Sequence, residues 1–299
     1  MPQCIFEGVA TAVITPFSED SKKVDYKGFS KLVEHQTDNK ADALVICGTT
    51  GESPVLTSEE KSELFRLSVS LTDGKIPIIA GTGSNNTEEA VRKSNDAEKM
   101  GVNGLLIVTP YYNKCTQEGL IKHYNFIADR VSAPIIVYNV PSRTGVTITP
   151  EAYLELSKNP KIAGVKEASS DIASLNNSIN LCNNNLTFYT GNDEQTAEAI
   201  KLGCKGVISV AANIIPSVMK KITNLTLDGD YESASELHKK YLKLINAMFC
   251  EVNPIPVKYA CSRIFETKNS LRLPLTRLSA KNSLYIDSLL KEYELIKNV

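Results

Sequence analysis

The sequence predicts an α/β fold, a (β/α)8 TIM barrel with a C-terminal helical extension. Eight short runs rich in Val and Ile recur along the chain, each about 5–8 residues long, as strands buried on both faces of a parallel sheet should be. Amphipathic runs separate them and give a repeat of roughly 20–35 residues, the length of one βα unit. The eight units follow one another without interruption, which is the barrel pattern. A doubly wound open sheet would need a topological switch and usually a glycine-rich phosphate loop. The nearest candidate for that loop, Gly81-Thr82-Gly83-Ser84-Asn85-Asn86, lacks the third glycine.

In chain order the apolar runs are GVATAVITPF from Gly8, ALVICGTT from Ala43, IPIIAGTG from Ile76, GLLIVTPYY from Gly104, PIIVYNVP from Pro134, IAGVKEAS from Ile162, LTFYTGND from Leu186 and GVISVAAN from Gly206. The helical runs between them carry start and stop signals. Thr57 with Glu60 forms a capping box and Gly74 is placed to end that helix. Asn86 opens a second helix that Gly101 closes, Thr116 opens a third, and EQTAEAIKLG from Glu194 reads as another. After Asn213 the strand pattern stops. YESASELHKKYLKLINAMF and LYIDSLLKEYELIK are strongly amphipathic. The expected organisation is a catalytic barrel over 1–225 and a helical region over 226–299 packed on it, since no linker separates them.

Composition narrows the function. The chain has 299 residues, enough for a full core, and 33 basic against 34 acidic side chains give a net charge of −1. No long-range positive field exists to attract phosphate backbones, so nucleic acid is not the expected partner. No stretch of 18 or more apolar residues is present, so no membrane span is expected. The N-terminal MPQCIFEGVATAVITPFSED reads as a strand, not as a signal peptide. The seven cysteines (Cys4, Cys47, Cys115, Cys182, Cys204, Cys250 and Cys261) are odd in number and form no CxxC pair. That pattern fits reduced thiols in a cytoplasmic protein. Only His35, His123 and His238 are present, far apart and without HxH or HExxH spacing, so no metal site is expected.

In a barrel the chemistry belongs at the C-terminal ends of the strands. Those ends carry Gly48-Thr49-Thr50-Gly51-Glu52-Ser53, Thr109-Pro110-Tyr111-Tyr112-Asn113, Tyr138-Asn139-Val140-Pro141-Ser142-Arg143-Thr144-Gly145, Lys166-Glu167-Ala168 and Gly191-Asn192-Asp193. Lys166 lies within an apolar strand. Alternation groups Ala163 with Val165 on the helix side and turns Gly164 and Lys166 inward. One reading is a lysine that snorkels to the rim. The other is a buried amine, its pKa lowered to about 7–8, that attacks carbonyls and forms a Schiff base. Carbon–carbon chemistry beside a carbonyl needs an electron sink, and without a histidine-held metal an iminium on lysine remains. Tyr138 ends the neighbouring strand and could move protons, with Thr49 and Tyr112 extending a hydroxyl chain, or each tyrosine could simply be a core aromatic. Arg143 could clamp a substrate carboxylate bidentately or make a surface ion pair.

GTTGES at Gly48, TPYYN at Thr109, YNVPSRTG at Tyr138, GVKEAS at Gly164, GVISV at Gly206 and NPIPVK at Asn253, in this order along nearly the whole chain, resemble the 4-hydroxy-tetrahydrodipicolinate synthase (dihydrodipicolinate synthase) family of pyruvate-dependent class I aldolases. The resemblance implies condensation of pyruvate with L-aspartate 4-semialdehyde in lysine and diaminopimelate biosynthesis. It implies no cofactor beyond the covalent pyruvate adduct. Lys166 matches the Schiff-base lysine. Tyr138, Thr49 and Tyr112 match the proton relay, with Tyr112 reaching in from a neighbouring subunit. Thr50 and the backbone at Ile208 match pyruvate-binding positions, Arg143 the arginine that holds the semialdehyde carboxylate, and Gly191 a turn of the substrate pocket. Family members are mostly homotetramers, built as two tight dimers. Ser53, Asn85, Glu89 and Tyr111 match a site where many members bind lysine as a feedback inhibitor. Two positions of that site often filled by histidine carry Ser58 and Lys61 here, and the extra cation implies weak or absent lysine inhibition. The related N-acetylneuraminate lyases and 2-keto-3-deoxy-sugar-acid aldolases share the lysine and tyrosine. Arg143 in PSRTG favours a short substrate with a terminal carboxylate over a polyhydroxylated sugar acid. A catalytically silent barrel would be expected to have lost a member of this constellation, and every position is filled.

Overall fold

Eight parallel strands, β1 (Gly8–Ala12), β2 (Ala43–Ile46), β3 (Ile78–Gly81), β4 (Gly104–Val108), β5 (Ile135–Asn139), β6 (Ile162–Glu167), β7 (Thr187–Thr190) and β8 (Gly206–Ser209), are arranged in chain order in a computed structural model of the protein. β8 pairs back onto β1, so the sheet closes and leaves no strand edge. The structure describes residues 4–265 and 267–297. The outermost residues of the expected barrel and helical spans, 1–3 and 298–299, lie outside the described residues.

The strands are apolar on both faces, but the faces differ. Ala10, Ala12, Ala43, Val45, Ile79, Leu106, Ile136, Tyr138, Tyr189 and Ile208 fill the barrel interior. Val9, Leu44, Ile46, Ile78, Leu105, Ile107, Val137, Val165, Phe188 and Val207 join the larger core under the helices. Small alanines on β1 and β2 face the bulkier β5 and β7, which leaves room near the middle of the barrel. Phe6 stacks on Tyr189 with ring centroids 4.2 Å apart, and the Tyr189 hydroxyl donates to the Phe6 carbonyl at 2.8 Å. This pair fills the end where β1 begins.

One detail departs from strict alternation. Ile135 pairs with Ile162, but Ile136 pairs with Gly164, so Ala163 is an extra residue in a β-bulge. Ile162 and Val165 therefore share the outer core, where alternation had grouped Ala163 with Val165. The inward position of Lys166 is unaffected, because the bulge lies before it.

The helices are α1 (Tyr26–Asp38), α2 (Ser58–Thr72), α3 (Thr87–Glu98), α4 (Gln117–Ala128), α5 (Pro141–Thr144), α6 (Pro150–Leu156), α7 (Ile172–Cys182), α8 (Thr196–Lys201) and α9 (Pro216–Leu227). α10 (Tyr231–Ala247), α11 (Ile255–Ile264) and α12 (Ala280–Glu292) follow. Thr57 makes the full capping box with Glu60, and Asn86 and Thr116 cap α3 and α4 by accepting an N–H three residues on. α2 stops one residue earlier than its glycine suggested: Asp73 already takes the left-handed conformation at φ 48°, followed by Gly74 at 71°. α9 packs on β1 and β8, and α10 packs on α8 and α9.

The loop after β2 is tied to the C-terminal helices by a buried charge pair. Glu52, left-handed at φ 54°, takes the ammonium of Lys258 from α11, and both side chains are buried. Glu52 also accepts the backbone N–H of Arg272 at 3.2 Å, while the Arg272 guanidinium grips Glu60 of α2 through two bonds of 2.6 Å. This explains NPIPVK, whose lysine is a strut under GTTGES. Removing one partner should leave a buried uncompensated charge, costing about 3–5 kcal/mol, whereas an uncharged pair should recover most of that. Denaturant unfolding of Lys258→Met against the double variant Glu52→Gln/Lys258→Met checks this; a loss below about 1 kcal/mol for the single variant would refute the strut role.

Candidate active site

Register places Lys166 of β6 directly beside Tyr138 of β5. Both point into the barrel, and the Lys166 ammonium lies 4.5 Å from the centroid of the Tyr138 ring. Lys166 is only 6% exposed, so the snorkelling alternative fails. Burial lowers its pKa to about 8; the Asp193 carboxylate pulls it upward and Arg143 pushes it down further. Burial raises the Tyr138 phenol, partly opposed by Arg143 and by a hydrogen bond with Thr49. A lysine near 8 is about one-tenth neutral at pH 7, against roughly one in a few thousand for an exposed one.

Lys166, Tyr138, Thr49, Thr50, Arg143 and Gly191 all line one cavity of about 180 Å3. The loop after each strand supplies its share. Thr50 is buried and accepts from the Asn253 amide at 3.1 Å. Arg143 stands exposed at the last turn of α5 and donates to the Asn253 carbonyl at 3.0 Å. Gly191 is required by close approach: a Cβ there would sit 2.8 Å from Lys166 Cε and 2.9 Å from Ala168 Cβ. Ile208 is buried in the barrel interior and does not line the cavity; Val210, two residues on, does. Tyr112 is 91% exposed, in a left-handed backbone at φ 69°, and does not line the cavity of its own chain.

The positions matched to an effector site gather on the flank near α3. The Asn85 amide donates to the Tyr111 carbonyl at 3.2 Å. Glu89 is gripped by Arg92 through bonds of 2.8 and 2.7 Å, which lowers its carboxyl to about 2. Ser53, Tyr111 and Lys61 line a second cavity, of about 280 Å3, while Ser58 is solvent-exposed. Gly81 and Gly83 permit contact with the Cys47 carbonyl and the Val108 N–H, which Cβ atoms would crowd to 2.2 and 2.6 Å.

Sequence reading missed Asp193 and Asn253 as site residues. Asp193 is fully buried, and its Oδ2 accepts the N–H groups of Val210 and Ala211 at 2.9 and 3.0 Å. Its only signal was a carboxylate at a strand end. Asn253 stood inside a quoted motif, but nothing in the spacing linked it to Thr50 and Arg143. Glu167, beside Lys166, faces away: Asn139, Tyr153 and the Ser169 N–H satisfy it. Among the described residues, no group of three or more His, Cys, Asp or Glu is placed to hold a metal ion.

A buried lysine, a neighbouring tyrosine and a rim arginine in one barrel cavity match a known model. Residues 5–293 fit the dihydrodipicolinate synthetase family. The chain belongs to that family. It is 44% identical over 294 residues, 98% of either chain, to the 4-hydroxy-tetrahydrodipicolinate synthase of Thermoanaerobacter sp. (strain X514). The crystal structure of dihydrodipicolinate synthase from Thermotoga maritima superposes with a TM-score of 0.96 at 40% identity, covering 98% of this chain and 100% of that one. A dihydrodipicolinate synthase from Acinetobacter baumannii complexed with pyruvate matches at 0.95 and 39% identity, over 98% and 100% of the two chains.

Two outcomes follow for a synthase-family site of this shape. Gly191→Ala should push Lys166 off its rotamer and slow formation of a borohydride-trapped pyruvate adduct by about ten-fold or more with the fold kept by circular dichroism, since a misplacement near 1 Å is costly. An unchanged trapping rate would sink the packing argument. If the neutral amine is the nucleophile, its fraction rises with pH up to the Lys166 pKa of about 8. Trapping should therefore speed up about ten-fold per pH unit below that value and level off above it, as rapid-quench measurements from pH 6 to 9 would show.

Proposed function

We propose that this chain is a 4-hydroxy-tetrahydrodipicolinate synthase, condensing pyruvate with L-aspartate 4-semialdehyde through a Schiff base on Lys166. The observation that carries the reading is the buried Lys166 amine held beside Tyr138, with a carboxylate clamp, Arg143, at the cavity rim. Neutral Lys166 attacks the pyruvate ketone carbon to give a carbinolamine. Tyr138, in contact with Thr49, passes a proton to the carbinolamine oxygen, and water leaves as the iminium forms. The iminium acidifies the adjacent methyl group, which loses a proton to give the enamine. The enamine carbon then attacks the aldehyde carbon of the semialdehyde, whose carboxylate Arg143 holds, and the iminium is restored. The semialdehyde's amino group attacks the iminium carbon, releases Lys166 and closes the six-membered ring. No metal or organic cofactor enters these steps.

Thr50 and the strand-end backbone around Ile208 bind the pyruvate carboxylate in this reading, with Gly191 leaving space beside Lys166. The exposed Tyr112 completes the relay of a second copy, so the working unit is at least a dimer, two of which make the family's tetramer. Cytoplasmic location fits seven free cysteines; among the described residues no helix is long and apolar enough to cross a membrane.

Borohydride treatment with pyruvate should add a reduced three-carbon adduct to Lys166, found by peptide mass mapping, and Lys166→Ala should abolish it. Turnover of pyruvate with aspartate semialdehyde, absent with N-acetylneuraminate, identifies the substrate; cleavage of the sugar acid instead would overturn the assignment. Free lysine should inhibit weakly, because the Lys61 ammonium repels its cationic amine by roughly 1 kcal/mol at 4 Å in water and by more where water is excluded. An inhibition constant below about 1 mM in steady-state assays would contradict this.

A further inference from the structure

The strands do not all join with equal security. β7 pairs with β8 only at Thr190 with Val207, whereas every other neighbouring pair keeps three or more residue pairs in register. Where β8 begins, the Lys205 N–H reaches the Phe188 carbonyl at 2.8 Å. At the mouth a side chain makes the join: Asp193 Oδ2 accepts the N–H groups of Val210 and Ala211 at 2.9 and 3.0 Å. We infer that Asp193, gripped from behind by His238, is a positioning residue for pyruvate capture, its carboxylate latching the ends of β7 and β8 so that the backbone after Ile208 stands at a fixed place against the Lys166 amine. This rests on the reading of Lys166 as the Schiff-base amine and of the backbone around Ile208 as the holder of the pyruvate carboxylate.

Asp193 opens a single helical turn, Asp193–Gln195, just after β7, and is fully buried. A carboxylate is a costly filler for such a place unless its bonds are needed, and bonds from N–H groups to a charged oxygen are the stronger kind. Gly191 and Asn192 on one side of the latch, and Val210 on the other, line the cavity that holds Lys166. Val210 is tied a second time: the Asn213 amide donates to the Val210 carbonyl at 2.9 Å and to the Ala12 carbonyl of β1 at 2.8 Å. The Asp193 carbonyl accepts the Thr196 hydroxyl at 2.8 Å and lies 3.0 Å from His238 Nε2. A carbonyl only accepts, so Nε2 carries the proton. His238 is buried on α10, so the helical extension reaches the wall of the cavity through this one bond.

The latch also carries charge. Asp193 and Arg143 are the charged groups that act on Lys166, in opposite senses. Glu194 is the further charge beside both Asp193 and His238. A carboxamide in place of the carboxylate separates geometry from field, because its oxygen still accepts the two N–H bonds while the negative charge is gone.

Borohydride trapping of pyruvate on the full chain is the test, followed against pyruvate concentration and pH, with folding checked by circular dichroism. Asp193→Ala should raise the pyruvate concentration for half-maximal trapping by at least about ten-fold, through loss of charge-assisted bonds. Asp193→Asn should raise it less and move the pH profile. Without the carboxylate the amine gives up its proton more readily, so the share of the plateau rate reached at pH 7 should rise about two- to three-fold. A role in stability alone would lower the melting temperature and leave that profile in place. His238→Leu keeps the carboxylate and should raise the half-saturating concentration about three-fold or more, with His238→Gln, which retains a donor, close to the unsubstituted chain. It reports on the latch even where an Asp193 variant does not fold. Unchanged half-saturation in His238→Leu or Asp193→Ala, or an unmoved pH profile in Asp193→Asn, would overturn this inference alone if the unsubstituted chain traps pyruvate normally. No adduct in the unsubstituted chain would overturn the Schiff-base reading and the inference with it.

Discussion

A lysine amine taken out of water inside a closed barrel is the constraint on which the site depends. An ammonium in a poorly hydrated interior is costly, and the protein can relieve that cost by pairing it with a carboxylate or by letting it lose its proton. Lys166 has no hydrogen-bonded carboxylate. The carboxylate of Asp193, which pulls the lysine pKa upward, accepts two backbone N–H groups at Oδ2, and Arg143 opposes it. The balance leaves a lysine about one-tenth neutral at pH 7, and a tyrosine face stabilises the charged fraction. A hydrogen-bonded carboxylate would occupy the Lys166 amine, as Glu52 occupies that of Lys258.

The same molecule contains the contrasting solution. Lys258 is as deeply buried, yet it meets Glu52 directly and both hold their place between the β2 loop and α11. One buried lysine therefore ties the loop that presents Thr49 and Thr50, and the other lines the cavity beside it. The difference lies in the partner and not in the depth. Around them the barrel supplies asymmetry: alanines on β1 and β2 leave the interior open where tyrosines on β5 and β7 wall it, and Gly191 gives the lysine stem room.

Much of this was legible in the residues. Eight Val- and Ile-rich runs with capped helices between them fix a barrel because period and length are local properties, and the capping box at Thr57 and the N-caps at Asn86 and Thr116 formed as their spacing demanded. Barrel geometry then sends strand-end residues to one mouth, where Lys166, Tyr138, Thr49, Thr50, Arg143 and Gly191 meet in one cavity. The bulge at Ala163 was not legible, because one extra residue in a strand leaves no mark in composition. Asp193, Asn253 and the Glu52–Lys258 pair were also missed as parts of the site. Each acts through a partner 17 to 206 residues away, and periodicity carries no information at that range.

The sequence by itself determined the strand and helix order, the barrel class and the identity of the groups at its open end. Those follow from side-chain patterning, backbone capping and chain direction, all of which act over a few residues. Only the tertiary structure decided that the Lys166 amine is dry and unpaired, that Lys258 is dry and paired, and that Tyr112 faces away from its own cavity. Protonation and solvent access depend on what surrounds an atom in space, and that surrounding is assembled from segments distant in the chain.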